Sequence, residues 1–90
     1  MQNDTRQLER IIKGFANHRR IQILTLLKKK PELSVAEISN ELDLNYENAS
    51  DHIRKLAIAG LLLKRYHGTE VRHRLTERGS AALSFCRSLS

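Results

Sequence analysis

The chain has one cysteine, one proline, no tryptophan, and only two tyrosines and two phenylalanines. Cys86 alone cannot form an intrachain disulfide, so the fold does not depend on an oxidising compartment. No apolar run approaches the roughly 18 residues that a membrane-spanning helix needs. The opening residues, MQNDTRQLER, lack the apolar stretch of a signal peptide. These absences together lead us to expect a cytoplasmic location and no membrane partner. There is no Gly-rich phosphate loop, and no catalytic set can be assembled in so small a chain. An enzyme is therefore not expected, and no cofactor is called for. Without low-complexity segments, repeats or linkers, residues 1–90 are expected to form one domain. Its core must be aliphatic and small, and a partner subunit would add to it.

What is present is charge. Sixteen lysines and arginines against ten acids leave a formal +6. Such an excess suits a polyanionic partner, nucleic acid before membrane. Charge alone is a weak sign, because many basic chains are simply well solvated.

The apolar residues recur at helical spacing through most of the chain. Leu8, Ile11, Ile12 and Phe15 stripe a first helix from about Asp4 to Ala16. Ile21, Ile23, Leu24, Leu26 and Leu27 cover more than half the circumference of a second, His18 to Lys30, which suits the centre of a bundle. Pro31 stops it. Ser34 and Glu37 form a capping box for a short helix from Val35 to about Leu42. Asn45 is a plausible N-cap for a fourth helix, about 46–59, and Gly60 ends it. Leu61–Tyr66 and Val71–Leu75 read as two strands around a turn at Gly68. Thr76 caps a last helix through about Leu89. The expected fold is mostly α with a small β-hairpin, in the order α-α-α-α-β-β-α. A short helix, a tight turn, a second helix and then a hairpin make a winged helix-turn-helix.

The segments ANHRRIQILTLL and LSVAEISNELDLNYENASDHIRKLAIAGLL, with a hairpin ending in HRLT, resemble the arsenic-repressor (ArsR) family of winged-helix transcription factors. EVRHRLTERG equally resembles the wing of the multiple-antibiotic-resistance (MarR) family, where an acid and an arginine two positions on stand as Glu70 and Arg72 do here. The resemblance implies a dimeric regulator of double-stranded DNA with the second helix of the motif in the major groove.

That helix begins with short polar groups, which fit base edges where a long lysine would read phosphate. Asn48 and Ser50 are the leading candidates for base edges. Tyr46 suits a phosphate or a thymine methyl, and Glu47 can accept from cytosine. His52, Arg54 and Lys55 lie further along and are expected on the DNA backbone. Asp51 departs from the basic or neutral residue common in the family. Either it pairs with Arg54 or Lys55, three and four positions on, or it faces away from DNA. In the wing, Lys64, Arg65, Arg72 and Arg74, with His67 nearby, suit phosphates or the adjacent minor groove. The alternative is a winged-helix module that binds protein, or nucleic acid without reading sequence.

The family's cysteine-pair metal site would fall at Ser34 and Ala36, which supply no thiolate. Its carboxylate–histidine site would fall on the last helix, which has no histidine or aspartate. His67 and His73, even if they faced each other across the hairpin, would lack a third ligand. No metal is expected. Cys86 lies on an apolar helix face, where packing is the ordinary role. A homodimer is expected through Leu8, Ile11, Ile12 and Phe15 of the first helix and Ala82, Phe85 and Leu89 of the last, since one small core cannot bury both stripes.

Overall fold

The computed structural model describes residues 4–90. It holds α1 (Thr5–Phe15), α2 (His18–Lys29), α3 (Val35–Leu42), α4 (Tyr46–Ile58), β1 (Leu62–His67), β2 (Glu70–Leu75) and α5 (Glu77–Ser88). The expected order is the one that forms.

Every helix starts on a side-chain oxygen that accepts from first-turn N–H groups, which otherwise lack partners. Asp4 caps α1 and Asn17 caps α2. Ser34 and Glu37 close the capping box of α3, Asn45 caps α4, and Thr76 caps α5. Each such cap stabilises by about 0.5–2 kcal/mol.

Helix α2 runs through the centre. Its Ile23, Leu24 and Leu27 are buried against Ile38 of α3, Ile53 and Leu56 of α4, Leu61 and Leu62 below the wing, and Ala82 and Leu83 of α5. Burying one such side chain is worth roughly 1.5–3 kcal/mol. Phe15 and Ala82, expected at a subunit surface, lie inside this core instead, at 7% and 8% exposure. The helical stripe in the sequence marks apolar residues but not how far the protomer's own core extends across them. Leu8, Ile12, Phe85 and Leu89 do face outward, and Ile11 is half-buried.

The hairpin is antiparallel, pairing Leu62 with Leu75 at its base and His67 with Glu70 at its tip. It runs one residue further toward the turn than the sequence pattern suggested. A third backbone segment joins it. After Pro31, Glu32 adopts a left-handed conformation (φ 71°), and Leu33 forms a bridge to His73. The Glu32 N–H donates to the His73 carbonyl at 2.9 Å, and the His73 N–H donates to the Leu33 carbonyl at 3.0 Å.

Helix α4, the wing and α5 meet at one knot. Gly60, at φ 78°, turns the chain out of α4. The Thr76 hydroxyl donates to the Gly60 carbonyl at 2.6 Å and accepts from the Gly79 N–H at 3.0 Å. The Thr76 N–H donates to the Leu61 carbonyl at 3.2 Å. That same carbonyl occupies the space a side chain on Gly79 would take. Gly79→Ala should therefore force α5 away from the wing base and destabilise the fold by about 1–3 kcal/mol, the usual cost of overpacking. Urea unfolding measures it; an unchanged midpoint would show that the junction yields freely.

Candidate nucleic-acid interface

The Asp43 backbone ends α3 in the left-handed region (φ 53°), and the Leu44 N–H donates to the Ser39 carbonyl at 2.9 Å. Asn45 Oδ1 then accepts from the Asn48 N–H at 2.7 Å and starts α4. Ala49, Ile53 and Leu56 are buried, which fixes the rotation of α4 about its axis. At 100° per residue, the side pointing directly away from that core carries Glu47, Asp51, Arg54 and Ile58.

The expected contact residues divide accordingly. Tyr46, Glu47 and Asn48 are exposed in the first turn, and Ser50 is half-buried. Asn48 and Ser50 stand two residues apart, so they border the outward ridge on opposite flanks. Asp51 takes both expected partners: Arg54 Nη2 at 2.6 Å and Lys55 Nζ at 3.0 Å. Hydrogen bonds from Lys55 and Arg54 hold its carboxyl below the usual range. His52 departs from its expected place on the DNA backbone. It turns toward α2, where its Nδ1 accepts from Arg20 Nε at 3.1 Å. Arg20 in turn donates to the carbonyls of Lys13 and Gly14 at the end of α1. Partial burial, then the Arg20 charge, lowers the His52 pKa.

In the wing, cross-strand partners share a face. Arg65 stands opposite Arg72, and Arg74 opposite Leu63, so three arginines line one face. Lys64 lies on the other face, opposite His73. The like charges are offset by carboxylates: Glu32 Oε2 accepts from Arg65 Nη1 at 3.3 Å and Arg74 Nε at 3.2 Å, and Glu70 pairs with Arg72 at 3.3 Å. Nothing in the sequence pattern singles out Glu32 or Arg20, because each acts on residues more than 30 positions away. His67 faces Glu70, not His73. Among the described residues, no three His, Cys, Asp or Glu side chains converge as metal ligands would.

A family profile described as a helix-turn-helix domain matches residues 15–65. The chain belongs to that helix-turn-helix family. Its hairpin makes it a winged member, and it is similar to structures that include a possible ArsR-family regulator. The transcriptional activator HlyU of Vibrio cholerae is 38% identical over 66 residues, 73% of this chain and 60% of that protein. The chain thus matches less than two thirds of the length of that curated relative. A structure of V. cholerae HlyU superposes with a TM-score of 0.82 at 31% identity, covering 99% of this chain and 97% of that one. A solution structure of the homodimeric winged helix-turn-helix domain of Mb0332 from Mycobacterium bovis, a possible ArsR-family regulator, gives 0.85 at 29% identity, covering 99% and 87%.

His73 ties the wing to the core. The side chain is 1% exposed, and its Nδ1 lies 2.9 Å from the Leu33 carbonyl, so the nitrogen carries a proton and donates. Burial lowers its pKa, opposed by the bond to Leu33 and aided by Lys64. The unfolded chain takes up a proton at about pH 6.5 while the folded one resists. Stability is thus full above that pH and falls as the pH drops through it toward the lowered folded value. His52 adds a change of the same sign. Urea midpoints should decline between about pH 7.5 and 5.5, and His73→Gln, which keeps a donor for Leu33, should flatten the decline. Parallel pH curves for the two proteins would rule this out.

Proposed function

We propose that the chain is a dimeric transcription regulator that reads double-stranded DNA by sequence. The N-terminal half of α4 enters the major groove, and the arginine face of the wing lies on backbone phosphates or in the neighbouring minor groove. The observation that carries this reading is the first turn of α4: Tyr46, Glu47 and Asn48 project from a helix whose rotation is fixed by buried Ala49, Ile53 and Leu56. Rigid presentation of short polar groups is what base-edge reading requires. Arg54 lies on the outward ridge, where it can leave Asp51 for a base or a phosphate. The formal +6 of the chain supplies the sequence-independent attraction. Such a protein works where the chromosome is, in the cytoplasm, as one domain. No helix of the described residues is long and apolar enough to cross a membrane.

A second reading, a winged-helix module that binds protein or nucleic acid without sequence preference, draws on the acids. Glu47 and Asp51 stand on the exposed ridge, and Glu32 and Glu70 offset the wing arginines. Selection from random duplex, followed by anisotropy titration of selected and scrambled sequences at fixed salt, separates the two. Affinity for the selected duplex should fall at least about tenfold from 50 to 200 mM salt. Asn48→Ala and Ser50→Ala should each lower discrimination by ~1–3 kcal/mol at one or two base positions. Arg72→Ala should weaken all duplexes alike and reduce the salt slope by about one unit. Equal binding of selected and scrambled duplexes would favour the second reading.

The dimer is drawn from exposed apolar side chains on the helices that flank the winged core. Leu8 and Ile12 of α1 and Phe85 and Leu89 of α5 lie outside the core, and the similar Mb0332 domain is homodimeric. A two-fold arrangement burying them would set two α4 helices about one DNA turn apart, roughly 34 Å. Sedimentation equilibrium at micromolar concentration should give a dimer, and Phe85→Glu should shift it to monomer. A monomeric native chain would remove this part of the proposal.

A further inference from the structure

Glu32 sits outside the helix-turn-helix and outside the hairpin, yet it pairs with two of the three arginines on the wing face. Three observations meet on it. Its backbone is left-handed at φ 71°, a conformation that costs energy for any residue with a side chain and persists only where surroundings enforce it. Its N–H is fixed on the His73 carbonyl of β2. Its single oxygen Oε2 bridges Arg65 on β1 and Arg74 on β2, at 3.3 and 3.2 Å, with only 28% of the side chain exposed. The backbone that carries the carboxylate is anchored and its side chain is largely covered, while the two guanidiniums are half exposed at the ends of long side chains. These arginines belong to the face proposed above to meet phosphate.

We infer that Glu32 acts as a built-in competitor for DNA phosphate and sets the affinity of the wing. In the unbound protein its carboxylate occupies Arg65 and Arg74. A phosphate that docks on the wing must draw at least one of these arginines away from Glu32, and it approaches a fixed negative charge as it does so. Glu32 therefore lowers affinity for every sequence alike. Specificity, which depends on α4, is left unchanged, because the same factor applies to matched and unmatched duplexes. This inference rests on the proposed placement of the wing on DNA backbone.

Glu32→Gly tests it with little risk to the fold, since glycine adopts positive φ without strain and keeps the N–H that bonds His73. Glu32→Gln removes the charge while keeping the side-chain shape. Both should tighten binding to selected and scrambled duplexes about threefold to tenfold, in line with what two exposed ion pairs are worth. The salt dependence should steepen by about one to two units as the released arginines take phosphates. Glu9→Gln on α1, whose carboxylate pairs with Lys13 four residues on, controls for the change in net charge. In an Arg65→Gln, Arg74→Gln background the gain from Glu32→Gly should fall to the level of that control. If native protein binds DNA and neither Glu32 variant exceeds the Glu9→Gln control, the competitor role is overturned while the DNA-reading proposal stands. Weaker binding by both variants would overturn it too, since Glu32 would then be positioning the arginines for DNA. A native protein that binds no duplex under any salt condition overturns both.

Discussion

Three parts of this protein hang from the carbonyl of Leu61. Helix α4 ends two residues before Gly60, the wing begins one residue after Leu61, and α5 packs its Gly79 on that carbonyl. Thr76 closes the knot by donating its N–H to Leu61 and its hydroxyl to Gly60. Leu61 itself is fully buried. Helix α4, the basic hairpin and the outer helix of the proposed dimer therefore share one origin. A shift in any of them must strain hydrogen bonds that the others use. In a small domain such a junction matters more than any one apolar contact, because it is what relates the orientations of separate elements.

The electrostatics follow a consistent pattern of local balance. The formal charge of the chain is strongly positive, yet the cations of the wing and of the middle of α4 are largely met by carboxylates: Asp51 for Arg54 and Lys55, Glu32 for Arg65 and Arg74, Glu70 for Arg72. All of these pairs are at least partly exposed, so each adds little to stability. Their effect lies elsewhere. Paired arginines are held within reach of a surface without presenting the full attraction of bare charge, and a phosphate can exchange for the carboxylate at modest cost. The formal +6 of the chain as a whole is of the sign that attracts a polyanion at long range.

Much of this was legible in the chain itself. The caps Ser34, Asn45 and Thr76 reveal themselves by residue type and by the apolar period that follows each. The strand period of Val71–Leu75 sets His73 on the same face as Val71 and Leu75, and His73 is buried there. The turn, the hairpin and their order identified the fold. What sequence could not give was contact across the fold. The Glu32–Arg65 and Arg20–His52 pairs join residues 33 and 32 positions apart. No local period reports such a contact. Phe15 and Ala82 were misplaced for a related reason. A helical stripe shows which residues avoid water, but whether they meet the protomer's own core or another subunit depends on how α1 and α5 sit on that core.

The scarcity of aromatic residues connects this to function. An aliphatic core built around Ile23, Leu24 and Leu27 is filled before it reaches the outer edges of α1 and α5, and Leu8, Ile12, Phe85 and Leu89 remain in water. If a second copy covers them, folding and association become linked, and stability rises with protomer concentration. DNA reading would then acquire the same dependence. One protomer offers one α4 and one wing, with phosphate contacts too few for tight binding at ordinary salt. Two protomers in fixed relation make the second half-site an intramolecular encounter, so affinity rises without any new kind of contact. The apolar residues that the small core leaves exposed are, on this reasoning, what allows weakly charged, locally balanced reading elements to bind as a pair.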